Sequence, residues 1–178
     1  GNACVVKPAE DASLSLLRLA EIATEVGFPA GALNVVTGYG KEAGAALCAH
    51  PGIDHISFTG STMTGRSVGL AAAERHCPVT LELGGKSPQI VFADADLDAA
   101  EPVLLNAIIQ NAGQTCSAGS RVLVEQSVYE EVVQRLAKRF TAVRAGTPAE
   151  DLDMCPLINE KQFRQVRDMV ATAEANGL

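Results

Sequence analysis

Apolar residues in this sequence change their spacing repeatedly, from short continuous runs to helical periods and back, and that alternation restricts the fold more than any other feature. Residues 4–6 form a short apolar run closed by Lys7-Pro8. Leu14, Leu16, Leu17, Leu19, Ile22, Ala23 and Val26 then recur at helical spacing until Gly27 stops them. Residues 33–36 read as a second strand ended by Gly38, and 42–49 as a short alanine-rich helix ended by Pro51-Gly52. The unit repeats with a strand at 53–58, a turn at 59–61, a helix at 65–75 and a strand at 79–83 broken by Gly84-Gly85. Beyond it come a strand at 90–92, helices at 97–111 and 128–143 on either side of a strand at 121–124, and a last helix at 160–175. That last helix carries Phe163, Val166, Met169 and Val170 on one face. Strands alternating with helices predict an α/β fold with largely parallel sheets and flanking helices. The densest turn signal inside the alternation, Gly84-Gly85-Lys86-Ser87-Pro88, marks the expected hinge between two domains.

Composition narrows the function classes. The 178 residues are 47% hydrophobic, enough for a sizeable core. The balance of 14 basic against 21 acidic residues gives a net charge of -7, and no Lys/Arg cluster exceeds a pair, so the electrostatic footprint of a nucleic-acid binder is missing. No apolar run approaches the roughly 20 residues that span a bilayer, and no signal-peptide order opens the chain, so a soluble, cytoplasmic protein is expected. Cysteines 4, 48, 77, 116 and 155 are odd in number, with no C-x-x-C pair, which argues against a disulfide framework or a zinc site. Most are expected to be reduced core thiols.

Two glycine-rich stretches follow strands, where backbone N–H groups favour an anion. TGYGKEAG sets Gly38, Gly40 and Gly44 one residue wider than the Rossmann fingerprint, so it reads equally as an ordinary turn. FTGSTMTGRS sets Gly60 and Gly65 at P-loop spacing, but Arg66 stands where a P-loop needs the point charge of lysine. A strand, a small turn and a helix N-terminus still suit a dinucleotide. In VTLELGGKSP, Glu82 alternates with Leu81 and Leu83 at a strand end. It reads either as a general base for water or as a solvated edge residue.

Cys116 lies in QNAGQTCSAGSR, among residues too small to bury a thiol, whereas Cys4 and Cys48 sit among apolar neighbours. Gly113 and Gly119 would let the backbone approach a ligand, and free N–H groups at a turn would stabilise a thiolate and an oxyanion. Cys116 is therefore a candidate nucleophile, against the reading of a small structural residue.

GNACVVKPAE, FTGSTMTG, LELGGKSP and GQTCSAGSRVLV, in this order and at these separations, resemble the NAD(P)-dependent aldehyde dehydrogenase superfamily. The segment from Ser127 onward is also similar to the family's continuation. The resemblance implies that Cys116 is the catalytic nucleophile and Glu82 the general base that activates water. It implies that Lys7 and Glu10 hold the adenosine ribose, that Gly60, Ser61 and Gly65 form the dinucleotide phosphate site, and that Thr59 and Leu83 lie near the nicotinamide. The carboxylate of Glu10 would repel a 2′-phosphate, which favours NAD, with NADP also compatible. A small-molecule aldehyde is the implied substrate, oxidised to a carboxylic acid through a cysteine thiohemiacetal and thioester, and the parent enzyme is implied to be a homodimer or homotetramer. The general base argues against a CoA-acylating member.

The family's Pro-Trp-Asn-type segment and Glu-x-Phe-Gly-Pro motif have no counterpart here, so the resemblance marks the chain as an interior fragment, expected to be inactive alone. Residues 1–83 would be the later half of the NAD(P)-binding domain and 84–178 the first part of the catalytic domain. Two other readings stand beside this one. A cofactor-independent cysteine hydrolase or acyltransferase would need His50, His55 or His76 as its base, and none carries a supporting motif. A noncatalytic nucleotide-binding module would bind NAD and leave Cys116 unreactive.

Overall fold

The structure is a computed structural model that describes residues 1–177. It is an α/β chain that divides into two compact units, Gly1–Glu82 and Leu83–Leu178. Three two-stranded sheets order the strands.

In the first unit β1 (Cys4–Val6) runs parallel to β2 (Leu33–Val35), with Cys4 opposite Leu33, and α1 (Leu14–Glu25) makes the crossover between them. β3 (Ile56–Gly60) pairs with β4 (Val79–Leu83), and α3 (Thr62–Glu74) connects them. Ile56, Val68 and Ala72 are buried here, with Cys48, Ile53, Phe58, Cys77 and Leu81 packed against them. Arg75 closes this core from the rim: its guanidinium donates to the carbonyls of Cys48 (2.6 Å) and Ile53 (2.7 Å).

In the second unit β5 (Pro88–Val91) runs parallel to β6 (Arg121–Val124), with Pro88 opposite Arg121, and α4 (Leu97–Ile109) makes the crossover. Gln89 and Val91 share the inward face of β5, while Ile90 and Phe92 face out. Val91, Leu104 of α4 and Val132 of α5 (Tyr129–Ala142) are the buried centre, surrounded by Ala95, Leu97, Val122, Val124, Val128 and Leu136. Asp96 starts α4 by accepting from the N–H groups of Asp98 (3.1 Å) and Ala99 (3.2 Å). α6 (Glu160–Ala175) spans the residues its periodicity predicts, and Asn159 caps it through the Gln162 N–H at 2.9 Å.

Several boundaries differ from expectation. The strand expected at 53–58 begins at Ile56, because the turn after Pro51-Gly52 extends to Ile53, whose N–H bonds the His50 carbonyl at 3.2 Å. The expected turn at 59–61 is instead strand through Gly60, after which the Ser61 hydroxyl caps Thr64 N–H at 3.2 Å and starts α3 three residues early. The expected helix at 42–49 is a wide π-type turn over Gly40–Gly44 leading into α2 (Ala45–Ala49). The cysteines are less buried than expected: Cys48 and Cys77 pack against the first core, but none is fully buried. Cys4 and Cys116 are exposed and the other three are half-buried. Cys4 begins β1, which pairs with β2 alone.

Candidate active site

Lys7 follows β1, and Glu10 opens a single 3-10 turn ahead of α1. The two side chains approach within 3.8 Å. Lys7 Nζ donates to the carbonyls of Pro8 and Gly38, the latter at 3.1 Å. Glu10 Oε1 accepts from the Gly40 N–H at 2.6 Å. Its own backbone N–H, then that of Gly40, hold the Glu10 carboxyl below its ordinary value. The anion served by the TGYGKEAG loop is thus a carboxylate of the chain itself, and the loop sets the direction of Lys7 and Glu10. Beside them lies a cleft of about 220 Å³ lined by Glu10, Ser13, Thr37, Gly38 and Tyr39 among others. Thr37 and Tyr39 belong to the TGYGKEAG stretch, but its glycine spacing does not single them out, and the fold is what brings them to this cleft.

Thr59 and Gly60 end β3 with their side-chain positions exposed, Ser61 caps α3, and Gly65 is buried in the helix's first turn, its N–H on the Ser61 carbonyl at 2.8 Å. A Cβ on Gly60 would stand 2.6 Å from Cζ of Phe58, so a side chain here would require the Phe58 ring to shift. The first turn of α3 holds no acidic residue, which leaves its N–H end open to an anion. Glu82 is exposed near the end of β4 between the half-buried Leu81 and Leu83, and among the described residues nothing bonds its carboxylate.

Cys116 sits in a tight turn of the second unit, closed by the Ala118 N–H on the Thr115 carbonyl at 3.1 Å. That closure leaves the N–H groups of Cys116 and Ser117 outside the turn's own bond. Just upstream the backbone is left-handed at three successive residues, Asn111 (φ 50°), Ala112 (φ 55°) and Gly113 (φ 73°). A left-handed residue with a side chain costs roughly 1–2 kcal/mol, so Asn111 and Ala112 hold this shape only because their surroundings impose it. The helix expected to reach 111 ends at Ile109 for this reason. Downstream, Gly119 N–H bonds the Ala107 carbonyl at 2.9 Å, and its carbonyl accepts from Gln89 Nε2 at 3.2 Å. Gly119 is therefore approached by Gln89 and not by open space for a ligand. His50, His55 and His76 are all exposed and belong to the first unit, whereas Cys116 belongs to the second. Among the described residues no group of three or more His, Cys, Asp or Glu is arranged to hold a metal, and no helix is long and apolar enough to cross a membrane.

The aldehyde dehydrogenase family model matches residues 1–178, and the chain belongs to this family. It is 47% identical over 171 residues to the hydroxyisobutyraldehyde dehydrogenase of Mycolicibacterium austroafricanum, a match over 96% of this chain and 34% of the relative. It is 45% identical to human retinal dehydrogenase 2, over 99% of this chain and 35% of the relative. Among solved structures, a protein from Burkholderia cenocepacia assigned as an aldehyde dehydrogenase superposes with a TM-score of 0.98 at 69% identity, over 99% of this chain and 37% of that one. An NAD+ complex of an aldehyde dehydrogenase from Bacillus cereus superposes with a TM-score of 0.95 at 45% identity, over 98% of this chain and 36% of that one. The chain thus spans about a third of the length of the curated relatives it matches.

Proposed function

We propose that the protein carrying this chain oxidises an aldehyde to the carboxylic acid with NAD, with Cys116 as nucleophile and Glu82 as general base. The observation that carries the reading is the placement of Cys116. It is an exposed thiol on a tight turn whose upstream backbone is held left-handed, within a chain of the aldehyde dehydrogenase family. The thiolate adds to the aldehyde carbon, and the N–H groups outside the turn's bond are the chain's own donors for the oxyanion that forms. NAD, when bound, accepts the hydride that the resulting thiohemiacetal gives up, leaving an acyl thioester on sulfur. Glu82 takes a proton from water, whose oxygen adds to the thioester carbon. The C–S bond then breaks, and the thiolate of Cys116 and the carboxylic acid separate.

The residues present fit the dinucleotide. Glu10, fixed by Gly40, keeps its second carboxylate oxygen for the ribose hydroxyls with Lys7 beside it, and Gly60, Ser61 and Gly65 shape the helix end suited to the diphosphate. Thr59 and Leu83 are assigned to the nicotinamide side. Because Glu10 is anchored as a carboxylate, a 2′-phosphate would meet its charge, and NAD is the preferred form. Residues 1–83 are assigned to the cofactor domain and 84–178 to the catalytic domain. The complete protein is assigned as a homodimer or homotetramer, and the 178-residue chain alone as inactive.

In the complete enzyme, Cys116→Ala abolishes aldehyde-dependent NADH formation. Glu82→Gln completes one turnover and then holds the acyl group, seen as added mass on the peptide containing Cys116. Repeated turnover at the normal rate in the glutamine variant would sink the role of Glu82. Steady NADH production by the purified 178-residue chain would overturn the assignment of inactivity.

A further inference from the structure

We infer that Gln114 is a positioning residue for Cys116, an inference that rests on the reading of Cys116 as nucleophile. Every polar group of Gln114 is engaged. Its backbone N–H and its Nε2 both donate to the Asn111 carbonyl, at 3.1 and 2.9 Å. Its backbone carbonyl accepts from Asn111 Nδ2 at 3.1 Å. Its Oε1 accepts from the backbone N–H of Ile158 at 3.0 Å, which ties the loop to the segment ahead of α6.

These bonds straddle the left-handed run from Asn111 to Gly113. Ala112 has no side-chain reason to be left-handed, since it carries neither the freedom of glycine nor the local hydrogen bonds of asparagine. The conformation persists because the reciprocal amides of Asn111 and Gln114 fasten its two ends together. Residue 114 is also the last before the turn Thr115–Ala118, so whatever fixes it fixes where that turn begins. On the far side Gln89 fastens Gly119 in the same way. The chemistry allows few substitutes for Gln114. The site requires a donor toward Asn111 and an acceptor toward Ile158 at the end of a two-methylene stem. Glutamate lacks the donor, lysine the acceptor, and asparagine the reach. A thiolate gains from backbone N–H dipoles only where the backbone bearing them is held still.

The test is per-cysteine alkylation by iodoacetamide, read by mass spectrometry on the 178-residue chain across a pH series, with exposed Cys4 as internal reference. Gln114→Met lowers the Cys116 rate near neutrality by about tenfold, while the Cys4 rate stays fixed. Ala112→Gly added to Gln114→Met restores the Cys116 profile, because glycine takes the left-handed conformation unaided. Where Gln114→Met loses its helical circular dichroism, Asn111→Ala breaks the other half of the same pair and is expected to give the same loss of rate. A wild-type profile in the folded Gln114→Met chain, or no restoration by Ala112→Gly, overturns the positioning role and leaves the nucleophile reading intact. A wild-type Cys116 that alkylates like Cys4 also overturns the positioning role, because the turn then confers nothing on the thiol; the nucleophile reading is tested separately by Cys116→Ala in the complete enzyme.

Discussion

Phe58 and Gly60 set the exit of β3, and they show how a residue assigned to cofactor binding also answers to packing. Phe58 packs against the Ile56, Val68 and Ala72 cluster, and its ring edge occupies the space a side chain at residue 60 would need. Gly60→Ala is expected to destabilise the first unit by about 1–3 kcal/mol, the usual range for overfilling a packed place. Phe58→Leu in the same chain recovers part of that loss, measurable by urea titration of the two single variants and the double. Glu10 gives a second prediction. Its carboxyl is held below the ordinary 4.5 by its own N–H and that of Gly40, so the ionised form is the one the fold prefers. The contribution is fully present above pH 4.5 and is lost as the pH falls through the lowered folded value. The Gly40 amide resonance is expected to titrate in acid with a midpoint below 4.5, and Glu10→Gln should flatten it. An unmoved Gly40 signal in the wild-type chain would remove the clamp. The candidate residues were visible as letters, small residues around one thiol and a carboxylate between two leucines, though their roles came from the family resemblance. Their supports were not. Gln114, Gln89 and the Gly40 amide act through backbone carbonyls and N–H groups brought from 3 to 44 positions away, and no residue type advertises that.

Between elements, the second unit joins α4 to α5 by charge along the edge of its small core. Arg135 reaches Asp98 at 2.6 Å and Glu101 at 3.5 Å on α4 and Glu131 at 2.9 Å on its own helix, and Arg139 also bonds Glu101. The Glu101 side chain is only 13% exposed, so it depends on these partners more than the open Asp98 does. The hydrogen bond from Arg139 first, with the charge of Arg139 and the contact from Arg135 after it, keeps the Glu101 carboxyl below its ordinary 4.5. Its stabilising effect is therefore present above pH 4.5 and lost as the pH falls below that value through the folded one. In urea titrations followed by Tyr129 at the start of α5, the wild-type midpoint falls with acid across this window, and Glu101→Gln is expected to fall less steeply. Equal slopes would show that the network adds nothing to acid stability. The cap of α4 is a separate test: Asp96→Ala removes the acceptor for two N–H groups and is expected to cost about 1 kcal/mol of stability. Helices with a clear apolar stripe and a capping residue, such as α6 after Asn159, were readable to the residue. The start of α3 was not, because nothing in Thr62-Met63-Thr64 extends the helix read from Gly65 back to the cap formed by the Ser61 hydroxyl. The end of α4 was not either, because Ala112 carries no left-handed signal.

At the scale of the whole molecule, surface area is the decisive quantity. A compact monomer of 18.5 kDa would expose roughly 8,200 Å², and two separate compact bodies of half that mass roughly 9,900 Å² together. This chain exposes 12661 Å². The excess holds whichever comparison is used, and large apolar side chains contribute to it. Phe163, Val166, Met169 and Val170 on the striped face of α6 are between 39% and 64% exposed, and Ile90 of β5 and Phe92 just after it are 61% and 62% exposed. Large apolar side chains left exposed along one helix face mark a place where protein covers protein. The 178-residue chain on its own is therefore expected to enhance the fluorescence of a hydrophobic dye at neutral pH and to associate as its concentration rises, by light scattering. Replacing Phe163 and Met169 together by glutamate should reduce both signals and leave α6 intact, because neither side chain is buried and glutamate is a good helix former. If the wild-type chain stays monomeric and dark to the dye, the α6 face is tolerated by water as it stands. If the double variant loses helix, the face supports α6 itself and is not a surface awaiting cover.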